Sequence, residues 1–127
     1  MTPYVYDSSA LLAIILGEPG ADVASANIGN AMVSSVNLAE VFSRAEDKGI
    51  PLDKTERFLM GKEVQFVDFD ADLARAVGTM RAKTRSRGLS IGDRACIALA
   101  LRERATIMTA DRIWAEIDLP CPVELIR

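Results

Sequence analysis

Short apolar runs alternate with longer helical stretches along nearly the whole chain, and this alternation narrows the possible folds more than any single residue does. The runs at 3–7, 31–34, 64–69, 106–109 and 123–126 are rich in β-branched, aromatic and other apolar residues at strand length, the last of them edge-like. Helical segments are expected at 10–16, 21–28, 37–48, 51–61, 70–87, 92–104 and 111–116. Local chemistry marks their ends. Ser8 or Ser9 suits the N-cap of the first, Asn37 that of the third, and Pro51 the first turn of the fourth. Gly49 and Gly88 are stop signals. Strands separated by helices require crossover connections, which are right-handed. The expected fold is therefore a three-layer α/β/α domain with a mainly parallel central sheet of four to five strands. With 127 residues, 50% of them hydrophobic, the chain can bury one sizeable core, and a single domain over 1–127 is expected.

Composition removes several classes of function. The formal net charge of −3 argues against general coating of nucleic acid but leaves room for a local basic patch. The chain has no histidine, and Cys96 and Cys121 form no closely spaced pair, so a zinc site lacks ligands. Cys96 lies within an apolar helical pattern and is expected to pack as a small hydrophobe. No basic leader opens the chain and the apolar run 10–16 is too short to span a bilayer, so a cytoplasmic protein with no membrane association is expected.

Four carboxylates stand where a strand or loop gives way to a helix: Asp7, Glu40, Asp93 and Asp111. In an open parallel sheet such junctions feed one crevice beyond the carboxyl ends of the strands. Each acid also has a plainer explanation. Asp7 suits a helix N-terminus, Asn37-Leu38-Ala39-Glu40 and Ser90-Ile91-Gly92-Asp93 have capping-box spacing, and Asp111 suits the N-cap of the helix beginning at Arg112. Taken together, four acids in one crevice repel one another unless a cation is bound, and oxygen ligands suit a hard divalent ion, Mg²⁺ or Mn²⁺. Such an ion acidifies its bound water, so phosphodiester hydrolysis would need no histidine base.

The segments YVYDSSALLAIILGEPG, SSVNLAEVFSRAEDKG and LSIGDRACIALALRERATIMTADRIW resemble the motifs of PIN-domain ribonucleases, in particular the VapC-type toxins of type II toxin–antitoxin pairs. The resemblance runs from Tyr4 to the final strand. It implies a PIN-like fold and a metal-dependent endoribonuclease. Asp7, Glu40 and Asp93 would form the core of a Mg²⁺ or Mn²⁺ site, Asp111 would complete it, Thr109 would orient the acids, and Ser8 would be the small polar residue after the first acid. It also implies a homodimer and a cognate antitoxin that blocks the site.

For an RNA substrate, the basic residues Arg81, Lys83, Arg85 and Arg87, with Arg94 just beyond Asp93, are candidate phosphate contacts. A solvated basic helix end explains the same residues. Aromatics are sparse, and Trp114 reads as a core or interface residue rather than a platform for bases. Two other classes fit the acids less well. A phosphotransfer receiver would pair acids at the end of its first strand, and an aspartyl-phosphate phosphatase would carry a second Asp where Ser9 stands. In a non-catalytic α/β binding module the acids would be caps only.

Overall fold

The computed structural model describes residues 2–127. Five short strands, β1 (Tyr4–Tyr6), β2 (Ala31–Ser34), β3 (Gln65–Val67), β4 (Thr106–Thr109) and β5 (Val123–Leu125), form one sheet in the order β3-β2-β1-β4-β5. Every neighbouring pair is parallel, with Val5 opposite both Met32 and Ile107. The sheet is thus wholly parallel, and its fifth strand lies at an edge as the sequence suggested.

Alternation along the strands divides the interior in two. Tyr6, Val33 and Met108 point to one core, shared with α1 (Ser8–Leu16), α2 (Ala21–Ala26), α3 (Ser35–Asp47) and α4 (Leu52–Gly61). Val5, Met32 and Ile107 point to the other, shared with α5 (Ala71–Thr84), α6 (Ile91–Glu103) and α7 (Ile113–Glu116). Central strands buried on both faces tolerate apolar residues at successive positions, which is why they appear in the sequence as unbroken runs. Trp114 is fully buried in the second core, a place that bars it from stacking on a base. Among the described residues no helix is long and apolar enough to cross a membrane.

Several boundaries moved, each for a local reason. Ser34 caps α3 by accepting from the Val36 N–H, so the helix starts before Asn37 and Asn37 lies within it. The predicted helix 70–87 breaks at Thr84, whose hydroxyl donates to the Met80 carbonyl, and residues Arg85–Arg87 continue as a 3-10 turn. The strand expected at 64–69 is shorter because the Phe69 N–H leaves the ladder to donate to Ser35 Oγ. The last helix is a single turn, Ile113–Glu116, not 111–116.

Chain order builds outward from β1 through β2 to β3, then returns to the other side of β1 for β4 and β5. The switch between β1 and β4 opens a crevice at their carboxyl ends. Gly20 has φ +93° and a Cβ placed on it would lie 2.5 Å from the Ile126 carbonyl oxygen. Backbone strain and overlap then act together, and Gly20→Ala should cost roughly 2–4 kcal/mol. Thermal unfolding checks this: a melting temperature equal to wild type would contradict the close approach of the two segments.

Candidate functional site

Asp7 follows β1 at the switch point, and its backbone N–H donates to the Met108 carbonyl at 3.1 Å, extending the pairing with β4. Its carboxylate, not Ser8 or Ser9, caps α1. Oδ1 accepts from the Ala10 N–H at 3.1 Å and from Ser9 Oγ at 2.6 Å, and Oδ2 accepts from Thr109 Oγ1 at 2.8 Å. Asp7 is only 5% exposed. Burial pushes its carboxyl up to about 6, against the lowering by the Ser9, Thr109 and Ala10 hydrogen bonds, and the charge of Asp93 adds to the rise.

The hydroxyls that hold Asp7 also organise the end of β4. Ser9 Oγ accepts from the Ala110 N–H at 2.9 Å, and Thr109 Oγ1 accepts from the Asp111 N–H at 3.0 Å. Thr109 therefore links Asp7 to Asp111, whose own Oδ1 accepts from the Ile113 N–H at 3.0 Å, although Arg112, not Asp111, stands at the N-cap of α7. Ser8 borders an open cavity together with Glu40, Val36, Ala39, Ser43 and Arg44. Sequence reading missed Ser9. With Asp7 as the cap, Ser9 is the second helical residue, and helical side chains lean back toward the N-terminus.

Asp93 comes from the first turn of α6, whereas Glu40 lies in the second turn of α3, because that helix starts at Ser35. The box expected between Asn37 and Glu40 is absent because Asn37 is not the cap. Instead the buried Asn37 side chain donates through Nδ2 to Glu40 Oε1 at 2.9 Å and to the Gly92 carbonyl at 3.0 Å. The second box does form. Ser90 Oγ accepts from the Asp93 N–H at 3.1 Å, and Asp93 Oδ2 accepts from the Ser90 N–H at 2.9 Å. Glu40 packs so closely on α6 that a Cβ at Gly92 would lie 2.6 Å from its Oε1. Neither Asn37 nor Gly92 stood out in the sequence, where one looks like a cap and the other like a spacer.

Electrostatics ties these groups together. The fully buried Cys96 thiol on α6 is pushed well above its usual range, first by burial and then by Asp7, Asp93 and Glu40. One buried sulfur thus senses three of the four acids, and Thr109 joins the fourth to Asp7. None of the four has a basic partner, for the ion pairs among the described residues join Arg102 to Asp70 at 3.0 Å and to Glu103 at 3.4 Å. Nor does any group of three or more acidic or cysteine side chains there already form a cage for a metal ion.

The donor set nonetheless suits a hard divalent ion. All the candidates are carboxylate oxygens, and Mg²⁺ takes one or two of them directly while keeping several waters. Among the described residues, Asp93 Oδ1, Glu40 Oε2 and Asp111 Oδ2 accept no hydrogen bond, and Asp7 Oδ2 accepts one of the two it can take.

The basic candidates divide. Arg81, Lys83, Arg85 and Arg87 are exposed on the last turn of α5 and the 3-10 turn after it. Arg94 is half-buried and turned toward α5, where Nη1 donates to the Val77 carbonyl at 3.2 Å. It ties two helices together rather than facing the crevice.

Asp7 gives the site a pH signature. Its folded-state value of about 6 lies above the ordinary 3.8, so the native state holds this proton more tightly than the unfolded chain does. The resulting stabilisation is complete below the unfolded value and is lost as pH rises through about 6. In chelator, Asp7→Asn should therefore gain roughly 2 kcal/mol on wild type between pH 4.5 and 8, read from denaturant melts at each pH. A difference that stays flat across this range would mean that the carboxyl is solvated.

Residues 4–119 match the PIN domain family. No curated protein sequence matches the chain significantly. Among solved structures, it is similar to a toxin–antitoxin complex from Klebsiella pneumoniae, with a TM-score of 0.77 at 18% identity over 98% of each chain. It is also similar to DNA-bound VapBC from Salmonella typhimurium, with a TM-score of 0.75 at 19% identity over 100% of both chains. VapBC-5 from Mycobacterium tuberculosis superposes with a TM-score of 0.59 at 21% identity, over 100% of this chain and 99% of the other. At these identities the structures speak for the fold, whereas the family match extends over most of the sequence: the chain belongs to the PIN domain family.

Proposed function

We propose that this protein is a Mg²⁺- or Mn²⁺-dependent endoribonuclease and the toxin of a toxin–antitoxin pair. The observation that carries the reading is the buried Asp7 carboxylate at the β1–β4 switch, which has no basic partner among the described residues, with Glu40 tied through Asn37 to the Gly92 carbonyl beside Asp93. In this reading Asp7, Glu40 and Asp93 hold the ion, directly or through water, and Asp111 completes the set. A bound ion would supply an acidified water and offset charge on the phosphodiester. The chain's own residues supply placement. Thr109 and Ser9 hold the Asp7 carboxylate in one orientation, and the Ser90 box does the same for Asp93. Cys96 takes no part as a nucleophile, because its thiol is buried and held protonated.

The exposed Arg81, Lys83, Arg85 and Arg87 are assigned to the RNA backbone, since phosphate contacts position a strand without reading its bases. Arg94 is left out of that set because its guanidinium is engaged with α5. For the antitoxin, we assign the apolar cleft of about 220 Å³ lined by Ile14, Ile15, Ile50, Lys54, Thr55 and Phe58 between α1 and α4. On α1, Leu12 is core at 5% exposure, while Ile15 borders the cleft. The resemblance to VapC-type toxins supports a homodimer as the functional unit.

RNA cleavage by the purified protein tests the mechanism. Asp93→Asn keeps an oxygen for the Ser90 N–H and so keeps the helix cap. It should fold normally yet lose at least about 100-fold in cleavage rate, as wild type should in EDTA. Cleavage that survives both treatments would rule out metal-dependent hydrolysis here. Reversing Arg85 and Arg87 to Glu should weaken binding alike across RNA sequences. It should also flatten the dependence of log affinity on log salt by about 1.4, for two lost phosphate contacts on single-stranded RNA. An unchanged slope would return these residues to a solvated helix end.

A further inference from the structure

We propose that Asn37 and Gly92 form a clamp that fixes Glu40 relative to Asp93, with Asn37 as a positioning residue for the metal site. The inference rests on the metal-site reading given above and extends it to two residues outside the acid set. Asn37 is 1% exposed, and its two observed hydrogen bonds leave through Nδ2, to Glu40 Oε1 at 2.9 Å and to the Gly92 carbonyl at 3.0 Å. Both partners are acceptors, so exchanging the amide nitrogen and oxygen would set oxygen against oxygen. The orientation is therefore determined by chemistry.

The other end of the amide adds an independent sign. Asn37 Oδ1 is buried and has no hydrogen-bond partner among the described residues. An apolar side chain of similar size would pack there without stranding an acceptor, so the core has no need of this amide. Its use lies in holding Glu40, a long side chain that otherwise samples many rotamers. Gly92 completes the arrangement. A Cβ there would stand 2.6, 2.8 and 2.9 Å from Glu40 Oε1, Oε2 and Cδ, so any larger residue would drive the carboxylate away. Because the Gly92 carbonyl is itself a partner of Asn37, the first turn of α6, carrying Asp93, is tied to the turn of α3 that carries Glu40.

Calorimetric titration of the metal-free full chain with Mn²⁺ provides the test, with melting in EDTA beside it. Wild type should bind and Asp7→Asn should not. Asn37→Leu and Gly92→Ala should each bind ten- to a hundred-fold more weakly. Neither should melt below wild type, since leucine removes the stranded acceptor and alanine is the better helix former. If both bind Mn²⁺ as wild type does while Asp7→Asn does not, the clamp is only structural and the metal site stands without it. If wild type binds no Mn²⁺, the metal-site reading and the clamp fall together. Should Asn37→Leu fail to fold, Gly92→Ala decides alone, because its collision is with the movable end of Glu40 and not with the backbone.

Discussion

The parallel pairing of β1 with β4 is the contact on which the rest of the architecture turns. These strands are distant in sequence, with β2 and β3 lying between them along the chain and on the opposite side of β1 from β4 in the sheet. Closing that pair places Asp7 beside Thr109, and one hydroxyl then bridges two carboxyl-bearing segments. Ser9 adds a second stitch, from α1 to Ala110. The mouth of the crevice is thus held by side-chain hydrogen bonds that continue the sheet ladder beyond its last backbone pair.

The same junction concentrates negative charge where solvent is scarce. A buried carboxylate with three donors would ordinarily titrate low, yet desolvation prevails at Asp7. Among the described residues no lysine or arginine forms an ion pair with it, although the chain has fifteen such residues. Acids that cap helices elsewhere are handled differently. Asp70 caps α5 by accepting from the Leu73 N–H, stands in solvent and pairs with Arg102, and its carboxyl is held below the usual range by those contacts. The contrast separates a cap that serves the fold from one that strains it, and strain of this kind gathers at functional sites.

Capping and site chemistry are not alternatives in this protein. Asp7 and Asp93 each accept a backbone N–H at the start of a helix, while Asp111 accepts the Ile113 N–H from one residue before Arg112, which takes the N-cap position of α7 expected for Asp111. Those bonds leave at least one acceptor position on each carboxylate free. A helix cap is a good scaffold for a ligand, because the backbone sets the orientation of the carboxylate before anything binds. Glu40 is the exception: it is exposed, has no backbone donor among the described residues, and is held by Asn37.

The structure made the sheet five-stranded and wholly parallel, whereas sequence alone determined the α/β layering, a mainly parallel sheet of four to five strands and the identity of the acids near strand–helix junctions. These follow from hydrophobic period, turn residues and crossover rules, which act over a few residues at a time. It did not determine where α3 begins, because Ser34 and Asn37 are both competent caps and only the packing of α3 against α6 makes Asn37 more useful inside the helix. It favoured Ser8 over Ser9, since which hydroxyl meets Asp7 depends on the direction in which α1 leaves the sheet. Arg94 looked like its exposed neighbours, but its position on α6 turns it toward α5. Contacts such as Thr109 with Asp7, Asn37 with Gly92, and Gly20 with Ile126 join residues far apart in the chain. Tertiary structure alone decided them, because their distances are set by how whole elements pack and not by any local preference.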